Sequence, residues 1–183
     1  MANSQRRPSP ARLTLLLGGA RSGKSRHAER LVLESGLAPV YVATGEPLDE
    51  EMAARIAEHR ARRGARWRTV EEPLDLPGAL LRESGPERAV LVDCLTLWLT
   101  NLMVAKRAVR EEMTRLVERL PHLPGTLILV SNEVGLGVVP VDPMARAFID
   151  HAGWLHQSIA ERADVVVLMA AGLPLHLKSP TEG

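Results

Sequence analysis

The sequence predicts an α/β fold with a mostly parallel central sheet flanked by helices. Three observations carry that prediction. Short apolar runs of strand length recur at residues 13–17, 39–44, 89–93, 126–131 and 164–169. They are near-continuous rather than alternating, as strands buried on both faces should be, and stretches of helical pattern separate them. The first run leads directly into Gly18-Gly19-Ala20-Arg21-Ser22-Gly23-Lys24-Ser25, which fits G-x-x-x-x-G-K-S/T at every fixed position. A strand, a glycine-rich loop and a helix in that order define the P-loop NTPase class.

Each element follows from local pattern. Leu13–Leu17 is the first strand, and Lys24 to about Glu34 reads as the first helix. Pro39–Thr44 is a second strand that ends in the turn Thr44-Gly45-Glu46-Pro47. Asp49 offers an N-cap, with Glu50 and Glu51 in the first turn where the helix dipole favours acids. That helix runs through Met52 and Ile56 to about Arg63, and Gly64 stops it. Trp67–Val70 is a strand ended by Pro73, Leu76–Arg82 a helix, and Ala89–Asp93 a buried-type strand ending in an acid. Leu95 to about Leu120 has helical propensity with room for an interruption. Thr126–Ser131 is a core strand, and residues 132–143 are Gly-rich and irregular. Pro143–Ala163 is a helix, Asp164–Met169 a strand, and Leu173–Leu177 a last edge strand.

At 183 residues the chain is long enough for one well-packed domain. Residues 1–12 carry Ser, Pro and Arg and no acid, with no apolar core to make a secretory signal. They are expected to be a disordered leader, with one domain over 13–178 and a tail at 179–183. The 23 basic and 22 acidic residues nearly balance, so composition points to neither nucleic acid nor an anionic membrane. Aromatics at 3% argue against base-stacking platforms. A single cysteine, Cys94, excludes an intramolecular disulfide framework and a cysteine-only metal cluster. A cytoplasmic protein without membrane insertion is expected.

The P-loop has a mechanism. Its glycines let the backbone turn tightly and aim N–H groups at phosphate oxygens, and the following helix N-terminus adds positive potential. Lys24 would lie against the β- and γ-phosphates, and the Ser25 hydroxyl would ligate Mg²⁺. Asp93 closes an apolar strand downstream. That position suits a second Mg²⁺-holding acid, and equally an N-cap for the helix from Leu95. Residues 55–63 place one histidine, His59, among four arginines: Arg55, Arg60, Arg62 and Arg63. Arg55, His59 and Arg62 share a helix face. Cations suit a helix C-terminus, so a solvated face accounts for them. Beside a polyphosphate, the same arginines would neutralise charge and keep His59 unprotonated, ready to attack phosphorus. Ser131-Asn132-Glu133-Val134-Gly135-Leu136-Gly137 follows a core strand and so lies at the ligand end of the sheet. It serves either as a substrate loop or as a structural turn. His27, His122, His151, His156 and His176 form no metal-ligand spacing. No Asn-Lys-x-Asp element of guanine-specific switch proteins is present, which weakens a switch or plain GTP-binding reading. Another small-molecule P-loop kinase would leave the Arg–His helix without a covalent role.

Several motifs together resemble one family. They are residues 18–29 around the P-loop, Tyr41-Val42-Ala43-Thr44, residues 49–60 ending Ile56-Ala57-Glu58-His59-Arg60, Trp67 with Thr69-Val70-Glu71, Val92-Asp93-Cys94-Leu95-Thr96, and Ser131 to Pro140. In this order they resemble the bifunctional adenosylcobinamide kinase / adenosylcobinamide-phosphate guanylyltransferases of cobalamin assembly, from about Leu13 to Lys178. The resemblance implies a RecA-like P-loop domain assembled as a homotrimer. It implies phosphorylation of adenosylcobinamide by ATP or GTP with Mg²⁺. Transfer of GMP from GTP to adenosylcobinamide phosphate would follow, giving adenosyl-GDP-cobinamide and pyrophosphate. His59 matches the family's GMP-histidine intermediate, with Lys24 as the second catalytic residue. Nucleotide contacts map onto Gly18, Gly19, Ala20, Arg21, Ser22, Gly23, Lys24, Ser25, Ala43, Thr44, Gly45, Arg60, Ala61, Arg62, Arg63, Glu71 and Asp93, with Ser25 and Asp93 holding the metal.

Overall fold

The computed structural model describes residues 12–46, 50, 54, 57, 60, 61 and 63–179. Seven strands form one sheet: β1 (Leu13–Gly18), β2 (Ala38–Ala43), β3 (Arg68–Glu71), β4 (Arg88–Asp93), β5 (Thr126–Asn132), β6 (Val165–Ala170) and β7 (Leu173–Lys178). Their order across the sheet is β3-β2-β4-β5-β1-β6-β7. Every pairing is parallel except β6 with β7, which follows a tight turn at Ala171-Gly172. The expected mostly parallel sheet is therefore what the chain builds, with the antiparallel strand confined to an edge.

Period-two side-chain alternation divides the core between the two faces of the sheet. Leu13, Leu15 and Leu17 of β1 join Val40, Val42, Val90, Val92, Leu127 and Leu129 on one face. Leu16 joins Tyr41, Ala89, Leu91, Ile128 and Val130 on the other. Both sets are buried, which is why the strands read as near-continuous apolar runs. The first face is covered by α2 (Leu76–Glu83), α3 (Leu95–Val104), α4 (Val109–Arg119) and α5 (Pro143–Arg162). Helix α1 (Lys24–Glu34) covers the second with Ala28 and Val32. Glu50, Ala54, Ala57, Arg60, Ala61 and Arg63 are also helical.

Helix starts follow their capping chemistry. Asp75 accepts from the Gly78 amide with Pro77 in the first turn, and Asp142 accepts from Ala145 with Pro143 at the first position. The segment from Leu95 breaks into two helices at residues 105–108, where Lys106 takes a positive φ of 53°. Trp98 of α3 is fully buried, its indole N–H donating to Leu74 O, just before α2, at 2.8 Å. Among the described residues no helix is long and apolar enough to cross a membrane.

The strand order decides where the site lies. β5 sits between β1 and β4, so the carboxyl ends of three adjacent strands bring Gly18, Asn132 and Asp93 to one edge of the sheet. This is the ligand end of an open α/β sheet.

Candidate nucleotide site

The P-loop turns where only glycine fits. Gly18 has φ 156°, and a Cβ there would lie 2.6 Å from Ser22 Oγ and 2.7 Å from the Met169 carbonyl. Gly23 is left-handed at φ 94° and caps α1 with no side-chain bond, so no side chain competes for the N–H groups of the first turn. The Gly172 amide donates to Ser22 O at 3.0 Å, tying the β6–β7 turn to the loop. Lys24 is 8% exposed and its ammonium donates to Gly19 O at 2.9 Å, folding the side chain back over the loop. Ser22 Oγ is buried with no hydrogen-bond partner among the described residues.

Asp93 ends β4 and accepts from the Tyr41 hydroxyl at 3.3 Å. It does not cap α3: the N-cap is Cys94, with no side-chain capping bond. Of the two roles the sequence left open, the cap is absent. Burial, and then the negative charge of Asp93, push the Tyr41 phenol well above its ordinary range, so it remains a donor at any working pH. Thr44 is fully buried. Its hydroxyl donates to Cys94 O at 2.7 Å and accepts from the Cys94 amide at 2.9 Å. Asn101 Nδ2 donates to the Thr44 carbonyl at 2.7 Å. Residues 43–45 are thereby pinned against the end of the strand that carries Asp93.

The Arg63 guanidinium carbon lies over the Tyr41 ring, 3.4 Å from its centroid, in cation–π contact. Its Nε and Nη1 are buried with no hydrogen-bond partner among the described residues. Arg60 pairs with Glu71 at 3.8 Å on an exposed surface, and Ala61 is exposed. His59, Arg62 and Arg55 lie outside the described residues. The structure thus brings the P-loop, Asp93, residues 43–45 and Arg63 to one end of the sheet, and it sets Arg60 and Glu71 together on the flank.

Sequence reasoning missed a second polar cluster. His156 Nε2 lies 2.7 Å from Ser131 Oγ, both side chains buried, and its Nδ1 is 4.0 Å from Glu133 Oε2. Ser131 and Glu133 flank Asn132, whose Nδ2 donates to Thr96 Oγ1 at 3.0 Å. The Glu133 amide donates to Gly18 O at 3.0 Å. The available signal was periodicity: His156 falls on the apolar stripe of α5 with Ala152, Leu155 and Ile159.

Burial lowers the His156 pKa below its ordinary 6.5, opposed by Glu133. The unfolded chain therefore binds the proton more readily, and stability is present above pH 6.5 and lost as pH falls below it. His27 and His151 are shifted the same way. Urea midpoints are expected to fall between pH 7 and pH 5, and a His156→Gln variant should show a shallower slope. An unchanged slope in that variant would exclude His156 as a contributor.

A complete P-loop on a mostly parallel sheet, with an acid at the end of a strand one place removed and an arginine beside it, defines a P-loop nucleotide-binding α/β protein. The chain belongs to the cobinamide kinase / cobinamide phosphate guanyltransferase family, CobU, whose family model matches residues 14–177. It is 59% identical over 166 residues to the bifunctional adenosylcobalamin biosynthesis protein CobP of Pseudomonas aeruginosa, covering 90% of this chain and 96% of that one. It is 40% identical over 183 residues to the bifunctional adenosylcobalamin biosynthesis protein CobU of Salmonella typhimurium, covering 91% and 99%. Among solved structures, the flagellar accessory protein FlaH of Methanocaldococcus jannaschii shares the fold, with a TM-score of 0.52 at 14% identity over 92% of this chain and 78% of that one.

Proposed function

We propose that this chain performs both reactions of its family at one nucleotide site in the cytoplasm. It phosphorylates the aminopropanol hydroxyl of adenosylcobinamide from ATP or GTP, then transfers GMP from GTP to the resulting phosphate. The observation that carries this reading is Tyr41. Its hydroxyl bonds Asp93 and its ring lies beneath Arg63, so one side chain joins the carboxylate beside the P-loop to the arginine-bearing helix.

In the kinase step, the P-loop amides of residues 18–25 bind the phosphates and Lys24 neutralises charge on the β- and γ-oxygens. Ser25 and Asp93 supply one hydroxyl and one carboxylate. That sparse donor set suits Mg²⁺, which takes its remaining ligands from phosphate and water. When bound, the cation would spread the charge that develops on the leaving group. In the transfer step, the imidazole of His59 attacks the α-phosphorus of GTP and pyrophosphate leaves. The corrinoid phosphate oxygen then displaces the histidine. Arg63, whose Nε and Nη1 have no hydrogen-bond partner among the described residues, and Arg60 would bind the phosphates during that exchange. Exposed Leu173, Leu175 and Leu177 on edge strand β7 offer an apolar surface for a homotrimer.

The test is GTP carrying different isotopes at its α- and γ-phosphorus, incubated with adenosylcobinamide and Mg²⁺. The γ-label is expected in the corrinoid first and the α-label later, with pyrophosphate released. Hydrolysis to GDP with neither label in the corrinoid would instead mark a nucleotide-switch protein.

A further inference from the structure

The loop after β5 holds polar groups that the P-loop and Asp93 leave unexplained. Glu133 is tied by its own amide to the carbonyl of Gly18, the first P-loop residue. Its Oε1 accepts from the Gly135 amide at 2.6 Å, which fixes the rotamer. Its Oε2 faces His156 Nδ1 at 4.0 Å, beyond hydrogen-bond reach, so that oxygen keeps lone pairs for another donor. Beside it opens a cavity of about 230 Å³, lined by Glu133, Gly135, Asp150, Trp154, His156 and Gln157. Its polar groups converge from the loop after β5 and from α5, and such convergence is what orients a ligand in a small-molecule site. Its Glu133 wall adjoins the P-loop through the Glu133 amide bond to Gly18 O.

Resting on the kinase reading above, we propose that Glu133 is the proton acceptor of the phosphoryl-transfer step and that its cavity holds the acceptor alcohol. His156 and Ser131 are its positioning residues. The alcohol oxygen attacks the γ-phosphorus and forms the new O–P bond. The bond from that phosphorus to the β–γ bridging oxygen breaks, and its electron pair leaves with the nucleoside diphosphate. The hydroxyl proton passes to Glu133 Oε2 and then to solvent. Burial keeps His156 neutral, so it has one N–H. Directing that N–H from Nδ1 toward the carboxylate leaves Nε2 to accept from the Ser131 hydroxyl at 2.7 Å. Ser131 thus fixes the His156 ring with an N–H facing the carboxylate at 4.0 Å, and the Gly135 amide holds the base in place.

The isosteric Glu133→Gln variant tests the role. Its kcat for adenosylcobinamide phosphorylation is expected to fall about 10²-fold or more. Its Kd for GTP, and its rate of GMP transfer to supplied adenosylcobinamide phosphate, should stay within about threefold. Glu133→Asp, which keeps the carboxylate but withdraws it, should fall between. At matched Tm, His156→Gln, which can still donate, should keep more kinase activity than His156→Leu. A kcat for Glu133→Gln within about threefold of wild type overturns the proposal. So does equal loss of both reactions, or Glu133→Gln being as active as Glu133→Asp. Wild-type protein that never phosphorylates adenosylcobinamide overturns the kinase reading and this role together. Wild-type turnover with an unimpaired Glu133→Gln overturns this role alone.

Discussion

Lys24→Ala is expected to remove both reactions at once, with GTP affinity falling about 10²-fold, or about 2.8 kcal/mol. Lys24 is buried at the start of α1 and donates to Gly19 O at 2.9 Å. The loop is thereby folded around the ammonium before any phosphate arrives. A phosphate entering this cradle meets N–H groups at the α1 terminus and a lysine already in place, which keeps the reorganisation cost of binding low. Alanine removes the charge and the link across the loop together. The effect is readable without turnover. At a GTP concentration about 100 times the wild-type Kd, ligand should stabilise wild type by about 2.7 kcal/mol, and a variant that binds about 100-fold more weakly by only about 0.4 kcal/mol. Thermal unfolding with and without GTP measures that difference, and titration calorimetry gives the Kd. Unchanged GTP affinity in Lys24→Ala would refute the assignment. Lys24→Arg should not restore function, because a planar fork replaces a compact point charge in a buried loop.

The elements of this fold were legible because the sheet is buried on both faces. Leu13–Leu17, broken only by Thr14, and Val90–Val92 are near-continuous apolar runs for the same reason that their side chains divide between two cores. The start of α5 was legible because Pro143 stands at its first position behind Asp142. Strand order was not legible. A parallel crossover looks the same in sequence whichever neighbour it reaches, so nothing local says that β5 lies between β1 and β4. The P-loop could be read because its glycines answer to the backbone conformation they must adopt. Asp93 could not be resolved between cap and ligand, because both begin with an acid at a strand end. The structure removes the cap by giving that position to Cys94. The Arg63–Tyr41 stack escaped the i, i+4 reading, which grouped Arg55, His59 and Arg62. Which arginine reaches the sheet depends on how the helix is rotated against Tyr41, and spacing alone does not set that. His156 was hidden because its partners Ser131 and Glu133 lie on a strand end 25 and 23 residues away.

His59→Ala is expected to separate the two reactions. Guanylyl transfer should fall at least about 10³-fold, as loss of a covalent nucleophile does, while phosphorylation stays within about tenfold. The reason lies in what each step asks of the protein. Phosphoryl transfer to an alcohol needs positioning and charge neutralisation, which the P-loop, Lys24 and Asp93 can supply. Transfer of GMP through the enzyme needs a side chain that bonds phosphorus, and that side chain must be neutral when it attacks. His59 stands in a segment with four arginines, whose charge opposes its protonation, while the helix C-terminal dipole favours it. The measurement is protein incubated with GTP labelled at the α-phosphorus, with Mg²⁺ and no corrinoid. Wild type should hold acid-labile, base-stable label and release pyrophosphate, and His59→Ala should hold none. The competing nucleophile is His27, in the first turns of the P-loop helix. Its Nδ1 lies 3.0 Å from the Arg30 guanidinium, and burial, with Arg30, lowers its pKa. That shift favours the neutral form of His27, so neutrality alone does not single out His59. What distinguishes them is that His27 Nδ1 accepts from Arg30, so in the neutral ring Nε2 carries the proton and no lone pair is left free for attack. A His27→Ala variant should therefore keep the label, and label retained in His59→Ala but lost in His27→Ala would move the covalent step to the P-loop helix. Equal loss of both reactions in folded His59→Ala would mean that His59 binds the nucleotide rather than carrying GMP.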